Sequence, residues 1–146
     1  MSLMESIHQK AKADRKRILL PEGTEERTVQ AVAKIKAEGI ADITLLGKAD
    51  EIQAVARKFN VSLDGVSLVD PEKDADFKDY VNTFYELRKA KGVTPEKAEA
   101  MMKDTKFYAA MMILKGRGDG MVAGAISTTG DTLRPGLQII KMAKGI

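Results

Sequence analysis

The sequence predicts an α/β protein in which helices cover both faces of a largely parallel sheet, a three-layer αβα sandwich. Short apolar runs bounded by turn residues alternate along the chain with longer segments whose apolar residues recur at helical spacing. The run Met121–Ile126 is apolar and lacks polar alternation, which is typical of a strand buried on both faces. This alternation of strand and helix favours parallel strands joined by helices.

The first third of the chain predicts two helices and one strand. Met4–Lys16 has the pattern of an amphipathic helix, and Arg17–Leu20 that of a short strand. Thr24 suits the N-cap of a second helix, because acidic residues follow it and complement the positive helix N-terminus. Gly39 suits the end of that helix. The apolar face of the second helix carries Thr28, Ala31, Val32 and Ile35.

The alternation continues through the rest of the chain. Ile43–Leu46 and Val66–Val69 are predicted strands, and Asp74–Lys91 is predicted to be the longest helix. Thr94 and Pro95 suit the cap and the first position of a further helix. The remaining predicted elements are a helix marked by Ile52, Val55, Ala56 and Phe59, a helix over Thr105–Leu114, the strand at Met121, and a C-terminal helix over Leu133–Ile146 with Leu133, Leu137 and Ile140 on one face.

Composition restricts the classes of function. The 146 residues suit one domain, and 44% hydrophobic with 31% charged residues is ordinary for a soluble globular protein. No apolar run is long enough to span a bilayer and nothing N-terminal resembles a signal peptide, so we expect a cytoplasmic protein. The chain has no cysteine for disulfides or thiolate metal sites, and no carboxylate spacing predicts a metal. Residues 1–3 are interpreted as an expression leader.

The net charge of +3 comes from interleaved signs. The densest cationic stretch is Lys10–Arg17, interrupted by Asp14. Nucleic-acid binding is one interpretation of that stretch, but aromatic residues for base stacking are scarce. A solvated amphipathic helix explains it better, and His8 on this charged helix is not predicted to be catalytic or to bind a metal.

A loop of hydroxyls and glycine follows the strand predicted at Met121. Free backbone N–H groups at the start of the next helix attract an anion, and the helix dipole adds to that attraction. Arg134 would add a guanidinium suited to phosphate. Asp131 can orient Arg134 or cap the helix, and Thr132 can also be a cap. A phosphate site is therefore predicted, with donors from Ser127, Thr128, Thr129, Gly130 and Thr132.

Arg88 lies at the end of an apolar helical stripe. The stripe Phe77, Val81 and Phe84 continues at the same spacing to Arg88. Spacing leaves two interpretations open. The stem can pack while the head meets the last helix carbonyls, or the guanidinium can point into a cleft.

Several motifs in order resemble the phosphate acetyltransferases of the phosphate acetyl/butyryl transferase family. The most specific is Asp131–Pro135, Asp-Thr-Leu-Arg-Pro, preceded by Ser127–Thr129. The resemblance runs from about Ile18 to Gly145 and implies an isocitrate/isopropylmalate-dehydrogenase-like αβα fold. The other matching segments are Ile18–Gly23 with Glu26–Thr28, Gly39–Ile43 with Leu45–Gly47, and Phe84–Lys89 ahead of Lys91–Gly92.

The resemblance implies reversible transfer of an acetyl group between coenzyme A and phosphate. The substrates would be coenzyme A, acetyl-CoA, phosphate and acetyl phosphate, with no metal and no cofactor. By resemblance, Arg88 contributes to coenzyme A binding, and Arg134 is a catalytic residue that binds coenzyme A or the acyl phosphate. In the family's mechanism a base activates the thiol of coenzyme A, which attacks acetyl phosphate. The resemblance also implies a homodimer in the full-length enzyme. From the composition we expect neither nucleic acid nor a membrane as a partner.

One departure from the family pattern is length. Family members are more than twice as long, and their catalytic serine and aspartate lie in the C-terminal part. Residues 1–146 are therefore interpreted as the N-terminal portion of the phosphate acetyltransferase domain, with a fold incomplete at its C-terminus and no activity alone. The alternatives are a naturally short protein, a phosphate butyryltransferase, and a non-catalytic module that binds coenzyme A or phosphate and regulates a partner.

Overall fold

The computed structural model describes residues 1–145 and contains seven α-helices and four strands in that range. A 3-10 turn at Lys89–Lys91 follows α4, and a π-helical turn at Gly136–Ile140 follows α7. The helices are α1 Leu3–Ala13, α2 Glu26–Glu38, α3 Ala49–Lys58, α4 Phe77–Arg88, α5 Pro95–Met102, α6 Thr105–Leu114 and α7 Thr129–Pro135. The strands are β1 Lys16–Leu20, β2 Ala41–Leu46, β3 Ser67–Val69 and β4 Gly120–Met121.

The strands form one parallel sheet in the order β3-β2-β1-β4. Ile18 on β1 lies opposite Ile43 on β2 and opposite Gly120 on β4. The chain first builds the sheet outward from β1 through β2 to β3 and then returns to place β4 on the other side of β1. The predicted parallel α/β fold is confirmed, and the direction of strand progression reverses between β1 and β4.

Helices cover both faces of the sheet. Because successive side chains of a strand point to opposite faces, Leu19 and Leu20 of β1 enter two different cores. Leu20 packs with Ile43, Leu45 and residues of α2 and α3, whereas Leu19 packs with Leu46, Val69 and residues of α4, α5 and α6. The three layers of the predicted sandwich are therefore present in residues 1–145.

A polar cluster joins α4 to α6 beside the second core. Arg117 donates to the two carboxylate oxygens of Asp74 at 2.7 and 3.2 Å, to Asp76 at 2.9 Å and to the Tyr80 hydroxyl at 3.2 Å. The Tyr108 hydroxyl also donates to Asp74. Burial raises the pKa of Asp74, but the hydrogen bonds from Arg117 and Tyr108 outweigh burial and lower it. The cluster fixes the end of α6 against the segment that leads into α4.

The predicted caps of two helices agree with the structure, and a third does not. Gly39 ends α2 with a left-handed φ of +64°, and Thr94 caps α5. The cap predicted at Thr24 is wrong, because Glu25 caps α2 by accepting the N–H of Thr28 at 3.0 Å. The first residue of α2 is therefore Glu26, one residue later than a cap at Thr24 predicts.

The predicted helix over Asp74–Lys91 is longer than the helix observed. The Asp74 side chain is bound in the Arg117 cluster, and α4 begins at Phe77. Lys89–Lys91 tighten into a 3-10 turn, which leaves α4 with 12 residues against 13 in α2. The prediction that this segment is the longest α-helix is therefore wrong, whereas α6 spans the predicted Thr105–Leu114.

The buried strand predicted over Met121–Ile126 is too long, because Met121 is the only residue of that range in β4. Regular pairing stops after Met121, and Val122 and Ile126 are 63% and 68% exposed. The physical reason is that the backbone N–H groups of residues 124–127 turn away from the sheet and bind the carboxylate of Glu22.

The predicted C-terminal helix over Leu133–Ile146 differs at both ends. Helical structure begins at Thr129 and ends at Ile140, where Lys141 adopts a φ of +66°. Leu133 is exposed, as are the other predicted face residues Leu137 and Ile140, while Ile139 enters the second core. Ile146 lies outside the described residues.

α1 lies on the surface, as the solvated-helix interpretation predicts. None of its residues is fully buried, and Nδ1 of His8 lies 3.6 Å from a carboxylate oxygen of Glu38. Across residues 1–145, every helix is too short or too polar to cross a bilayer.

Candidate functional site

The candidate site lies at the carboxyl edge of the sheet, between β1 and β4. In parallel sheets, ligands bind outside the carboxyl ends of the strands at the point where strand order reverses. Here Glu22 follows β1 and the segment 122–128 follows β4. These two neighbouring strands therefore bring residues about a hundred positions apart to one place.

Glu22 occupies the centre of this edge. One of its carboxylate oxygens accepts the backbone N–H groups of Gly124 and Ala125 at 2.7 and 2.9 Å. The other accepts the N–H groups of Ile126 and Ser127 at 2.9 and 3.0 Å, together with the Ser127 hydroxyl at 3.0 Å. Four consecutive amides thus form a nest around an anion that the chain itself supplies.

The environment keeps Glu22 ionised. Its side chain is buried, with a residue exposure of 7%. Burial raises the pKa of Glu22, but the hydrogen bonds from Ile126, Ala125, Ser127 and Gly124 together outweigh burial and lower the pKa to about 2. The nest therefore holds a full negative charge at neutral pH.

The sequence predicted an anion at this loop, and the structure identifies one that the sequence analysis missed. The backbone donors of residues 124–127 and the Ser127 hydroxyl are used by Glu22. Ser127 therefore supports the loop from the Glu22 side. The donors available to a further anion lie later in the segment, from Thr128 onward.

Thr128 caps α7, a role that the sequence analysis had left between Asp131 and Thr132. Its hydroxyl oxygen accepts the N–H of Asp131 at 3.1 Å. Its carbonyl accepts the Thr132 hydroxyl at 2.9 Å. Thr128 and Thr132 are therefore bonded to each other at the start of α7, directly after the Glu22-bound nest.

The Arg134 side chain lies beside the start of α7, close to Asp131 and Gly130. Its Nη1 is 3.4 Å from a carboxylate oxygen of Asp131, and 56% of its side chain is exposed. A β-carbon at Gly130 would lie 3.9 Å from Nη2 of Arg134 and 4.0 Å from Oγ1 of Thr128. A β-carbon at Gly124 would lie 3.9 Å from Oγ1 of Thr132. Gly130 therefore leaves the Arg134 guanidinium and the Thr128 hydroxyl open on one small surface, whereas the Thr132 hydroxyl is bonded to the Thr128 carbonyl.

Arg88 is the last residue of α4, a helix that packs against α6. Asp74, before α4, binds Arg117 after α6, whereas Phe84 near the end of α4 contacts Phe107 near the start of α6. Tyr108, near the start of α6, also contacts Phe77 and Tyr80 near the start of α4, so the two helices contact each other at several points. The start of α6 in turn borders the cavity beside Ser127.

The Arg88 guanidinium is incompletely bonded. Its Nε is buried and has no hydrogen-bond partner among residues 1–145. Buried polar groups in proteins are almost always bonded, and each exception calls for an explanation. The interpretation in which the Arg88 head is satisfied by the helix end does not account for this nitrogen.

A cavity of about 260 Å³ opens beside Glu22 and Ser127 at this edge. Its walls include Thr105 at the start of α6 and three lysines that the sequence analysis did not single out, Lys48, Lys103 and Lys106. Nζ of Lys106 is 3.3 Å from Asp104, and Nζ of Lys103 is 3.9 Å from Glu72. Lys103 and Lys106 lie on either side of the start of α6, whereas Lys48 precedes α3, so no local pattern in the sequence brings Lys48 to the other two.

Comparison with known proteins gives a consistent result. A family model described as phosphate acetyl/butaryl transferase matches residues 2–146. The phosphate acetyltransferase of Thermoanaerobacterium thermosaccharolyticum is 48% identical over 145 residues, which is 99% of this chain and 44% of the relative. The phosphate acetyltransferase of Clostridium acetobutylicum is 47% identical over 146 residues, which is 100% of this chain and 44% of the relative.

Solved structures agree with these relatives. A phosphotransacetylase from Streptococcus pyogenes matches with a TM-score of 0.92 and 36% identity, covering 100% of this chain and 45% of that one. The EutD phosphotransacetylase from Staphylococcus aureus matches with a TM-score of 0.88 and 33% identity, covering 99% and 43%. The chain thus spans less than half the length of these relatives.

Proposed function

The chain belongs to the phosphate acetyl/butaryl transferase family, and we propose that it supplies the anion-binding part of an acyltransferase. The reaction proposed is reversible acetyl transfer between coenzyme A and phosphate, in which acetyl-CoA and phosphate interconvert with acetyl phosphate and coenzyme A. Relatives that carry the name phosphate acetyltransferase support this reaction. Because the chain spans 44% of their length, the activity belongs to the longer enzyme.

The observation that carries the proposal is the group of donors at the strand switch point. Arg134, Thr128 and Gly130 lie close together at the start of α7, where Thr132 binds the carbonyl of Thr128, and Arg88 at the end of α4 has a buried Nε without a partner among residues 1–145. Guanidinium groups bind phosphate with two parallel, charge-assisted hydrogen bonds. We assign Arg134 to the acyl phosphate or to a phosphate of coenzyme A, and Arg88 to coenzyme A.

Each residue of the segment has its own proposed part. Thr128, Thr129 and Gly130 would bind phosphate oxygens through hydroxyl and backbone donors, and Thr132 would do so when its hydroxyl exchanges the Thr128 carbonyl for the phosphate. Ser127 would contribute by joining the segment to Glu22. The Asp131 carboxylate would hold the Arg134 guanidinium until a phosphate, with more negative charge, replaces it as the partner.

The chemistry balances without a metal or a prosthetic group. The thiol of coenzyme A loses its proton to a base, its sulfur bonds to the carbonyl carbon of acetyl phosphate, and the bond from that carbon to the phosphate oxygen breaks. Phosphate leaves with the electron pair. Arg134 would stabilise the charge that grows on the departing phosphate, so this part of the rate enhancement is electrostatic. The base would come from the part of the enzyme outside this chain.

A chimera tests the proposed function. The chain would be joined to the remaining C-terminal part of the Thermoanaerobacterium thermosaccharolyticum relative, and thioester formation from acetyl phosphate and coenzyme A would be measured. We expect transfer by the chimera, loss of transfer in the chimera with Arg134→Ala, and none by residues 1–146 alone. A folded chimera that binds coenzyme A without turnover would instead favour a regulatory module. Faster reaction with butyryl phosphate than with acetyl phosphate would favour the butyryl enzyme.

A further inference from the structure

We propose that Glu22 is a positioning residue: its carboxylate holds the segment 124–127 so that Thr128 and Arg134 are presented to the substrate anion. This inference rests on the proposed function, because it concerns how the proposed binding residues are kept in place. Glu22 itself is enclosed by the nest and is not assigned any contact with substrate.

The segment depends on Glu22 because little else binds its backbone. After Val122, whose N–H donates to Leu19, the chain leaves the sheet. The next four amides that donate hydrogen bonds, those of residues 124–127, all donate to Glu22. Glu22 is also the single buried charged residue among residues 1–145. A buried carboxylate is stable only when its oxygens are fully bonded, so nest and carboxylate stabilise each other.

Glu22 is in turn fixed to the sheet. The N–H of Gly23 donates to the carbonyl of Leu46 on β2 at 3.1 Å. A β-carbon at position 23 would lie only 2.4 Å from that carbonyl oxygen, so the turn after Glu22 packs directly against β2. A second contact joins the same loop to α2, because Nη2 of Arg27 donates to the carbonyl of Ala125 at 2.7 Å.

Glu22 is connected to Arg134 by a short series of hydrogen bonds and covalent bonds. Ser127 donates to Glu22 through both its N–H and its hydroxyl, and the next residue, Thr128, is the N-cap of α7. Arg134 lies in that helix, less than two turns after Thr128. A loop released from Glu22 would therefore move the cap, the hydroxyls and the guanidinium together.

The chemistry of the nest selects a carboxylate. Four N–H donors and a hydroxyl require an acceptor with two oxygens and a negative charge. Glutamine at position 22 would keep the shape but would turn an NH₂ group toward two donors. Aspartate would be one methylene too short. Alanine would leave the nest empty, and a small carboxylate from solution could then fill it.

The experiment uses the whole chain with Glu22→Ala, Glu22→Gln and, as a matched control, Glu51→Ala, which removes an exposed glutamate at the same edge. Hydrogen exchange of the Gly124–Ser127 amides is followed by NMR, and coenzyme A affinity by calorimetry, each with added formate or with chloride at equal ionic strength. We expect Glu22→Ala to lose at least about tenfold in amide protection. We expect coenzyme A affinity to fall by about tenfold or more.

Rescue is the decisive readout, because a packing defect would not respond to a carboxylate. In Glu22→Ala, formate but not chloride should restore both the amide protection of the loop and the affinity for coenzyme A. In Glu22→Gln, formate should restore neither. Glu51→Ala should behave as wild type in both measurements. Unchanged loop protection in Glu22→Gln, or no response of Glu22→Ala to formate, overturns the proposal. If Glu22→Ala does not fold, the isosteric Glu22→Gln decides by its loop protection. If the wild-type chain binds no coenzyme A, the proposed anion-binding role of this chain fails, while exchange and formate rescue still decide the role of Glu22.

Discussion

Gly130 faces the guanidinium of Arg134 across a gap that any other residue would narrow. A β-carbon at position 130 would lie 3.9 Å from Nη2 of Arg134, an ordinary van der Waals contact. The fold therefore tolerates a side chain there, whereas a phosphate bound between Arg134 and Thr128 would have to share the space. This separation of fold and function allows a direct test.

Gly130→Ala should raise stability and weaken ligand binding. Alanine in a helix costs less conformational entropy than glycine, so we expect the free energy of unfolding to rise by about 0.5–1 kcal/mol. We expect coenzyme A affinity to fall, because the methyl group crowds the phosphate position. Denaturant unfolding and calorimetry measure the two effects. The matched control is Gly136→Ala, because Gly136 has a helical φ and open space around it. Gly116→Ala is unsuitable, since Gly116 has a φ of +83°. Equal affinity in Gly130→Ala would place the phosphate elsewhere.

Arg88→Met should weaken coenzyme A binding without destabilising the chain. Methionine keeps an apolar stem and removes a buried Nε that has no partner among residues 1–145. We therefore expect stability within about 0.5 kcal/mol of wild type or above it. The affinity for coenzyme A should fall about tenfold or more, as for the loss of a charged hydrogen-bond donor. A large loss of stability with unchanged affinity would show that Arg88 has a structural role instead.

Arg117→Met should destabilise the chain more than the loss of an exposed ion pair does. The substitution leaves the half-buried Asp74 without its bidentate partner, so we expect a loss of about 2–3 kcal/mol in the free energy of unfolding. The matched control is Lys115→Met, which breaks an exposed pair with Asp79 at 3.2 Å and should cost less than about 1 kcal/mol. Urea unfolding of the two variants tests the difference, and equal losses would contradict it.

Glu22 should make the chain sensitive to acid. The pKa of Glu22 is lowered from 4.5 to about 2, so the folded state favours the charged carboxylate. The stability this gives is present above pH 4.5 and is lost as pH falls through about 2. At about 1.4 kcal/mol per pKa unit, the contribution is about 3 kcal/mol at neutral pH.

The measurement is the free energy of unfolding of wild type and Glu22→Gln between neutral pH and pH 2. Glu22→Gln should be less stable at neutral pH, and the difference between the two proteins should shrink toward acid. A constant difference across this range would show that the carboxylate charge is not what binds the loop.

The sequence located the strands and the helices approximately, because their signals are local. Apolar runs and helical periodicity located all four strands to within a few residues at their N-terminal ends, and Thr94 and Gly39 identified helix ends correctly. Each of these signals depends on a few neighbouring residues. These local signals do not predict the strand order β3-β2-β1-β4, because that order depends on which distant strands pair.

The site was predicted in position but not in its bonding. The hydroxyl-rich segment before Arg134 indicated an anion, yet Glu22, which lies 105 positions from Ser127, is the anion that fills the nest. The one available signal was an acidic residue between an apolar strand and a glycine. The same contact explains why Met121–Ile126 does not continue as a strand, since its amides turn toward Glu22.

The most direct test of the account is a calorimetric titration of coenzyme A into the wild-type chain, Arg134→Ala, Arg88→Ala and the control Arg57→Ala. Arg57 is exposed near the end of α3, which runs away from the carboxyl edge of the sheet. The account predicts binding by wild type and Arg57→Ala, and an affinity about 10- to 100-fold lower in each of the other two variants. Binding that is equal in all four folded proteins would contradict the assignment of the two arginines to the ligand, and no binding by the folded wild-type chain would contradict a preformed site.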